Sequence, residues 1–552
     1  MVNEISKKSH IAMRKRYGWR FYENNNSRVW FFGYQYNANI ENTLDKISLA
    51  LCNANTSDND ILNYIRNISG HFSMVVETSE WVVAAVDKIC TNPIFVVELE
   101  NDIFISNYAP ILKDKCDLDN SSLNLSAGLE VHMAGHTIGN KTLYTEIKRL
   151  EGGECILYNR SQNLWHREFY YTYSPWRVKD RSEGQLVKEF TDICTNTLKS
   201  LKESVGERQI VIPLSAGNDS RLIASGLKEL GVKNVVCFSY GRMGNFETPI
   251  SKDIANRLGY KWLHIPVTII GKRRFFKSDD YRRYVEEFES YGSVPNVHEA
   301  YEVSLLKNHH LINNNAIIVN GNSGDFISGG HISSILNLKN NPKTINEIDW
   351  GKFLDKHFSL WSDLRNTTND TYIISELKKV FLSRNIEESI NFTKHSYAVM
   401  EFMECVGRQS RIVANQQRTY EYFGYDWRLP LWSDDMLFFW ESVCYEHKVG
   451  QRLYLDTLRK NNWGNVWIDI DVNNKIIRPF YLRWVRTLFK IPFVIFGKSR
   501  WHKFEKNVFE YFIHPSCALA SVSYFRILID HRGYRSILSW LSIKMLRSSG
   551  IK

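Results

Sequence analysis

The stretch from Ile210 to Leu222 constrains this chain more than any other. It reads Ile-Val-Ile-Pro-Leu-Ser-Ala-Gly-Asn-Asp-Ser-Arg-Leu, a short apolar strand that runs through small polar residues into a helix. Such a loop leaves backbone N–H groups unpaired, and the helix N-terminus adds partial positive charge, so the pattern predicts an anion site. The Ser215 and Ser220 hydroxyls can donate to phosphate oxygens, and Asp219 can hold the Mg²⁺ that accompanies a nucleotide. A purely structural strand-to-helix turn is the alternative.

A second segment further along the chain has the same character. Residues 316–320 read as an apolar strand that leads into Gly321 and Asp325 through residues small enough to pack against a ligand. Asp325 is therefore predicted to share a metal ion with Asp219. The 210–222 loop is not a Walker A motif, because it lacks Gly-Lys-Ser/Thr at the required spacing.

The order of the predicted elements divides the chain into three parts. Residues 1–175 contain short β-branched and aromatic runs separated by turn signals, which is typical of antiparallel strands; one tight turn is expected at Glu100-Asn-Asp. In residues 183–470 strands alternate with helices, which indicates a parallel sheet. This part also has a large helical portion, which includes residues 344–460. Residues 475–552 form a basic, aromatic extension.

Composition narrows the class of protein. A hydrophobic content of 43% with 13% aromatic residues is that of a folded chain. The first twenty residues lack the apolar core of a signal peptide, and the longest apolar run is too short to span a bilayer. The nine cysteines are scattered without metal-like spacing, so we expect reduced thiols in a cytoplasmic protein.

The positive charge of the chain belongs to the extension. Residues 475–552 carry 15 Lys and Arg against 3 Asp and Glu, whereas the whole chain has a formal net charge of +10. Cations interleaved with aromatic side chains can lie on anionic headgroups, which would make the protein peripheral at the inner membrane face. The favoured interpretation of this composition is a helical cap with a solvated basic face; the membrane surface comes second and a nucleic-acid contact last.

A third segment, Gly424-Tyr-Asp-Trp-Arg-Leu-Pro430, places an acid and an arginine just before a proline. The three motifs resemble, in the same order, those of asparagine synthetase and its relatives, the β-lactam and carbapenam synthetases and the lasso-peptide cyclases. The family's Ser-Gly-Gly-x-Asp-Ser loop corresponds to 215–220, and its Gly-Glu-Gly-x-Asp-Glu-x-x-Gly-Gly-Tyr motif to 321–331. Its helical Glu-x-Arg-x-Pro-Phe motif corresponds to the segment with Asp426 and Arg428, which we expect to form a structural pair. The resemblance covers roughly residues 28–460, including segments similar to the family's glutaminase domain.

The resemblance implies a mixed α/β fold, with an N-terminal Ntn-hydrolase-like αββα sandwich and a C-terminal parallel-sheet ATP-pyrophosphatase domain (adenine nucleotide α-hydrolase-like). It implies ATP and Mg²⁺ as cofactors, with the metal held by Asp219 and Asp325. The catalytic candidates are Asn322 and Arg452, the latter standing where the family has a lysine. The nucleotide-binding candidates are Leu214, Ser215, Ala216, Gly217, Asn218, Asp219, Ser220, Ser239 and Gly321.

The departures from the family pattern alter the expected chemistry. The family's glutaminase uses an N-terminal cysteine as nucleophile, whereas this chain starts Met-Val-Asn and has its first cysteine at Cys52. Glutaminase activity is therefore expected to be absent. Ala216 replaces the first glycine of the loop, Asn322 stands where relatives have Glu or Tyr, and Phe326 replaces the second acid of the Asp-Glu pair.

The implied function is an ATP-dependent amide-forming ligase. It would activate a carboxylate as an acyl-adenylate, release pyrophosphate and transfer the acyl group to ammonia or another amine. The expected partners are a small-molecule or sugar carboxylate, as in surface-polysaccharide pathways, ammonia from solution or a partner protein, and a second copy of the chain. The alternatives are a degenerate binding or scaffold protein and a tRNA-modifying ATP-pyrophosphatase; the lack of basic charge outside the extension disfavours the latter.

Overall fold

Two stacked β-sheets form the N-terminal part of the chain. The computed structural model describes residues 8–36, 39–53, 55–99, 102–335, 342–470 and 480–551. The expected turn residues Glu100 and Asn101 and the first five residues of the extension lie outside the described residues. The strands of this part are β1 Lys8–Ile11, β2 Trp19–Glu23, β3 Ser27–Gln35, β4 Gly70–Thr78, β5 Trp81–Val86, β6 Phe95–Leu99, β7 Asp102–Ser106, β8 Lys148–Arg149, β9 Glu154–Asn159 and β10 Leu164–Phe169.

The two sheets differ in size and in strand direction. The first has six strands in the order β10-β9-β5-β4-β3-β2, and every neighbouring pair is antiparallel. The second has four strands in the order β1-β7-β6-β8, in which only the β1–β7 pair is parallel. The predicted antiparallel character of this part is confirmed.

Helices cover both outer faces of the stacked sheets. On the six-stranded sheet, Ile47 and Ile65 of two helices pack against Met74, while Val82 and Ile105 meet between the sheets. Two further helices lie on the four-stranded sheet. These four helices are α1 Ile40–Leu51, α2 Asp58–Arg66, α3 Ala109–Lys115 and α4 Leu125–Ala134. The arrangement is the αββα sandwich that the sequence predicted.

A five-stranded parallel sheet forms the second part of the chain. Its strands are β11 Ile210–Pro213, β12 Val235–Gly241, β13 Lys261–Pro266, β14 Ile317–Val319 and β15 Asp426–Arg428. They lie in the order β13-β12-β11-β14-β15, and all four neighbouring pairs are parallel. The first helices of this part are α5 Glu183–Val205, α6 Asn218–Glu229 and α7 Glu247–Leu258. The predicted alternation of strands and helices is confirmed.

The sequence predicts that residues 344–460 are mostly helical, and the family motif that corresponds to Asp426 is helical. The structure instead has the edge strand β15 at this position, which corrects that expectation. Gly424 has φ +79°, a left-handed conformation that ends the preceding helix. The chain then pairs in parallel with β14. Asp426 and Arg428 do not form an ion pair with each other: Asp426 bonds Arg208 at 2.6 Å, and Arg428 donates to the backbone oxygen of Ser204 at 3.1 Å.

Helices make up most of the rest of the second part. They are α8 Ile269–Phe275, α9 Asp279–Phe288, α10 Ala300–Asn308, α11 Gly324–Ile327, α12 Ile332–Ile335, α13 Gly351–His357, α14 Thr367–Leu382, α15 Phe392–Glu404, α16 Arg418–Tyr422, α17 Asp434–Glu441, α18 Tyr445–Lys448 and α19 Arg452–Asn461. A π-helical segment, Cys405–Val413, continues α15. Such segments occur frequently at functional sites.

The C-terminal extension is helical and only part of it packs on the molecule. Its helices are α20 Phe480–Lys490, α21 Phe493–Phe496, α22 Lys498–Ile513, α23 Tyr524–Ile529 and α24 Ile537–Ser548. Helix α24 buries Trp540 and Leu541 in the same apolar cluster as Val131 of α4, so the end of the chain is integrated with the sandwich. No helix in the described ranges is both long and apolar enough to cross a lipid bilayer.

The edge of the parallel sheet docks on the sandwich through aromatic side chains. The Trp427 ring of β15 lies 6.2 Å from Phe32 and 5.8 Å from both Tyr34 and His71, centroid to centroid. The backbone N–H of Leu429 donates to the Tyr34 hydroxyl at 3.1 Å. The two parts therefore share one buried interface.

Replacing Trp427 with Ala is expected to destabilise the protein by about 3–5 kcal/mol, because a buried indole leaves a cavity. Thermal unfolding followed by fluorescence or calorimetry measures the effect. Trp484→Ala is the matched control, since that side chain is 63% exposed. Equal shifts of the melting temperature in the two variants would contradict the docking of β15 described above.

Candidate active site

A cavity of about 440 Å³ opens near the ends of β11 and β14, in the middle of the parallel sheet. From β11 the chain moves to β12 and β13 on one side, while β14 and β15 lie on the other, so the strand order reverses here. Open parallel sheets bind ligands at such points, beyond the carboxyl ends of the strands. The lining residues are Pro213, Ser215, Gly217, Asn218, Asp219, Ser220, Glu299, Asn320, Gly321, Asn322, Ser323, Asp325, His331, Arg408, Gln409, Val413 and Gln416.

One side of the cavity is the loop between β11 and the N-terminus of α6. Gly217 is the N-cap residue and has no side chain to bond the N–H groups of the first helical turn. Two serines fix the loop: the Gly217 N–H donates to the Ser215 hydroxyl at 3.0 Å, and the Ser215 N–H donates to the Ser220 hydroxyl at 3.1 Å. Unpaired first-turn N–H groups and the helix dipole are the features that favour an anion at a helix N-terminus.

Two aspartates join this loop to the segment after β14. The Asp325 N–H donates to Asp219 Oδ2 at 2.9 Å, and the Tyr454 hydroxyl donates to Asp219 Oδ1 at 2.9 Å. Burial, and after it the negative charge of Asp325, raises the pKa of Asp219 to about 7. A cation bound here would relieve that cost, because it favours the ionised form of the carboxylate.

The close approach of the two loops requires glycine at Gly321 and Gly324. A Cβ at Gly321 would lie 2.8 Å from the backbone carbon of Asp219, and a Cβ at Gly324 would lie 2.5 Å from the carboxylate carbon of Asp219. Both distances are below contact range. Only a residue without a side chain allows the second loop to reach the aspartate.

His331 supplies positive charge at the cavity. Its ring bonds Asp325 Oδ2 through Nε2 at 3.1 Å and Glu404 Oε1 through Nδ1 at 2.6 Å. Burial by itself would lower the pKa of this histidine, but the hydrogen bonds and charges of Asp325 and Glu404 outweigh it and raise the pKa to about 9. At neutral pH the ring is therefore an imidazolium whose two N–H groups both donate.

The donor set fits Mg²⁺ bound together with a nucleotide. No group of three or more His, Cys, Asp and Glu side chains in the described part of the chain is arranged to hold a metal ion alone. Mg²⁺ in nucleotide sites is typically held by one or two carboxylates plus phosphate oxygens. Asp219 and Asp325 both line the cavity at the N-terminus of α6, and the Asp325 N–H donates to Asp219 Oδ2, so two carboxylates are available there as that requirement asks.

Eight of the residues predicted from the sequence line this cavity: Ser215, Gly217, Asn218, Asp219, Ser220, Gly321, Asn322 and Asp325. Four do not line it. Leu214 and Ser239 are buried in the sheet, and Ala216 turns its carbonyl oxygen toward the Arg221 guanidinium at 2.9 Å. Arg452 lies half-exposed in an ion pair with Glu183 at 2.6 Å.

The replacements noted in the sequence have structural consequences. The Asn322 amide donates to the Gln416 side-chain oxygen at 3.1 Å, so it is held at the cavity wall. Phe326 is fully buried and packs against Trp432, which leaves no second acid at this position. Arg221, which follows the loop in the sequence, does not line the cavity: it is buried, and its guanidinium donates to the backbone oxygens of Ala216 and Val466.

The sequence did not indicate several residues of the cavity. Arg408, Gln409 and Gln416 come from the π-helical region and the turn that follows it, far along the chain and without a motif. His331 belongs to no histidine motif, and the one signal for it is its place directly after Gly329-Gly330 in the second motif. Tyr454, which bonds Asp219, lies in an amphipathic helix whose pattern indicates only packing.

A second cavity, of about 460 Å³, lies at the interface between the sandwich and β15. Its charged groups are largely paired with one another: the Asp426 carboxylate bonds Arg208 at 2.6 Å and the Tyr17 hydroxyl at 3.0 Å. The cavity beside Asp219 instead combines an uncapped helix N-terminus with neighbouring carboxylates. It is therefore the candidate active site.

Comparisons with known proteins give no family for this chain. No family and no curated protein matches it. Among solved structures, an NH3-dependent NAD synthetase from Campylobacter jejuni subsp. jejuni shares 15% identity over 43% of this chain and 96% of its own, with a TM-score of 0.21. A glutamine phosphoribosylpyrophosphate amidotransferase from B. subtilis shares 9% identity over 54% of this chain and 62% of its own, with a TM-score of 0.17.

A third structure, an allosteric regulatory enzyme of purine biosynthesis, shares 11% identity over 45% of this chain, with a TM-score of 0.18. This chain spans 62% of the length of that enzyme. Identities and TM-scores this low support no conclusion about fold or function. The description of the fold rests on the strand order and the helix positions, and the candidate site rests on the geometry given above.

Replacing Gly324 with Ala is expected to lower MgATP affinity at least about tenfold, a free-energy loss of roughly 1.4 kcal/mol. The added Cβ would displace the Asp219 carboxylate from its position beside the loop. Isothermal titration calorimetry measures the affinity. Gly184→Ala is the control, because a Cβ there has no neighbour within 4 Å. Unchanged affinity in the Gly324 variant would mean that nucleotide does not bind beside Asp219.

Proposed function

We propose that this protein is an ATP-dependent amide-forming ligase that activates a carboxylate as an acyl-adenylate and transfers the acyl group to ammonia or an amine. The observation that carries the proposal is the joined pair of loops at the switch point: the helix N-terminus at Gly217 is uncapped, and the Asp325 N–H donates to the Asp219 carboxylate. An anion-binding helix N-terminus beside carboxylates suits a nucleoside triphosphate with its metal ion. The resemblance to asparagine synthetase and its relatives supports the same chemistry.

The positions of the charged groups support the binding of ATP with its phosphates at the loop. The N-terminus of α6 would bind pyrophosphate oxygens, and Asp219 and Asp325 would hold Mg²⁺, which neutralises phosphate charge when bound. Arg408 is the one Arg or Lys among the lining residues of the described chain. With the His331 imidazolium, it would offset the negative charge that develops as pyrophosphate leaves.

The reaction would proceed in two displacements. A carboxylate oxygen of the substrate attacks the α-phosphorus of ATP, the bond from that phosphorus to the bridging oxygen breaks, and pyrophosphate leaves with the electron pair. The nitrogen of the amine then attacks the acyl carbon, the carbon–oxygen bond to AMP breaks, and the amine loses a proton. Gln409 and Gln416, which line the same cavity, would bind the acyl substrate.

The source of nitrogen would lie outside the sandwich. The cysteines of the sandwich are Cys52, Cys90, Cys116 and Cys155. Burial raises the pKa of each of these thiols, to about 11 for Cys116, so none is a thiolate at neutral pH. This supports free ammonia, a partner that supplies ammonia, or an amino group on a second substrate as the nucleophile. A sugar carboxylate is one proposed acyl substrate.

The test is ATP consumption by purified protein with ammonia and a panel of uronic-acid sugars, amino acids and peptides, followed as AMP and pyrophosphate. We expect AMP formation that requires an acyl substrate and falls about 10²–10³-fold in Asp219→Asn. Asp456→Asn, at a half-exposed position, is the control. Absence of both AMP formation and ATP binding would favour a degenerate scaffold. AMP formation that requires tRNA instead would favour the base-modifying alternative.

Replacing Arg408 with Ala is expected to lower kcat/KM for ATP about 10²-fold, because the cavity loses its arginine. Steady-state AMP formation measures it. Arg282→Ala, at an exposed position paired with Asp279, is the matched control and should keep full activity. Arg452→Ala in the same assay tests the assignment made from the sequence: a larger loss than in the Arg408 variant would support Arg452 as the catalytic cation instead.

A further inference from the structure

Helices α20 and α21 and the turn between them expose many large apolar side chains. Over residues 480–495 eight large apolar side chains are exposed, and most are more than half exposed. They are Phe480, Tyr481, Trp484, Val485, Leu488, Phe489, Ile491 and Ile495. Contiguous apolar surface of this kind marks a binding surface for a protein or a membrane. We call these eight side chains the apolar face.

One flank of α20 packs on α22. Arg486 is largely covered and forms an ion pair with Glu505 of α22. Phe489, at the edge of the apolar face, contacts the rings of Phe504 and Phe509 of α22. In a helix with 3.6 residues per turn, Phe480, Trp484 and Leu488 then project away from the molecule. The apolar face is thus held outward by α22.

Basic residues surround the apolar face without acidic ones. Arg483 and Lys490 of α20 and Lys498, Arg500 and Lys503 of α22 are exposed. From residue 480 to residue 504 the sequence has no Asp or Glu. The first acid, Glu505, is covered and paired. The surface therefore combines exposed aromatic and aliphatic side chains with uncompensated positive charge.

We infer that α20 and α21 bind the surface of an anionic lipid bilayer, with the apolar face inserted at the level of the headgroups and the surrounding cations on anionic lipids. Amphipathic helices with Trp and Phe on one face and Lys and Arg beside it bind membranes in this way. Tyr and Trp favour the interfacial region, where an apolar ring and a polar group are both satisfied. Charge complementarity favours anionic lipid over a second copy of this basic helix.

The binding would hold the protein at a membrane surface without a spanning helix. It does not depend on the reaction at the cavity beside Asp219, so its test is separate from the test of the proposed function.

The experiment is flotation of the full-length protein with phosphatidylcholine vesicles and with vesicles that also contain about 30% phosphatidylglycerol, a lipid chosen for its negative charge. We expect flotation with the anionic vesicles only, and weakening as salt is raised, because salt screens the charge. Leu488→Glu should abolish flotation. Lys490→Glu should lower vesicle affinity at least about fivefold.

Leu125→Glu is the matched control, because Leu125 is a 70% exposed leucine that lies outside the extension. This variant should float like the natural sequence. Circular dichroism checks that each variant is folded. Failure of the natural sequence to float, or equal flotation of Leu488→Glu and Leu125→Glu, overturns the inference. If no vesicle binding occurs, the protein is tested for dimers by light scattering and for oligonucleotide complexes. A dimer or a complex that Leu488→Glu abolishes would assign the apolar face to that partner instead.

Discussion

The hydrogen bond from the Asp325 N–H to the Asp219 carboxylate is the contact on which the site depends. It joins the loop after β11 to the loop after β14, two strands that are neighbours in the sheet but more than a hundred residues apart in the chain. The absence of side chains at Gly321 and Gly324 makes the contact sterically accessible. Without it, the helix N-terminus and the second carboxylate would be separate features with no shared ligand.

The charged side chains around that contact favour the binding of a charged ligand. Burial of the Asp219 carboxylate near a second acid, Asp325, is costly, and the raised pKa of Asp219 expresses that cost. His331 compensates on the Asp325 side and is itself held between Asp325 and Glu404. A nucleotide with Mg²⁺ would add both the cation that the carboxylates favour and the phosphates that the helix N-terminus and Arg408 favour.

The sequence predicted those parts of the fold and site that depend on local patterns. The strand and helix around Ser215, the second loop at Asp325 and the change from an antiparallel to a parallel sheet are encoded in short segments, and the structure has all of them. The edge strand β15 is only three residues long, too short for a pattern, and it forms because β14 offers a partner.

Residues that reach the site from elsewhere in the fold could not be found in this way. Arg408 and Gln416 come from the region of a π-helical segment, and no spacing rule connects them with Asp219. Arg452 was chosen by alignment with a family lysine, yet its partner is Glu183. The position of a cation at a cavity depends on how helices pack, which periodicity does not specify.

The most direct test of the central claim is isotope exchange between pyrophosphate and ATP, measured with an acyl substrate present and with no amine. Reversible attack of a carboxylate on the α-phosphorus predicts that labelled pyrophosphate enters ATP only when the carboxylate is present. The exchange should disappear in Asp219→Asn. Turnover of ATP to ADP and phosphate, or exchange that needs no carboxylate, would contradict activation of a carboxylate as an acyl-adenylate at this site.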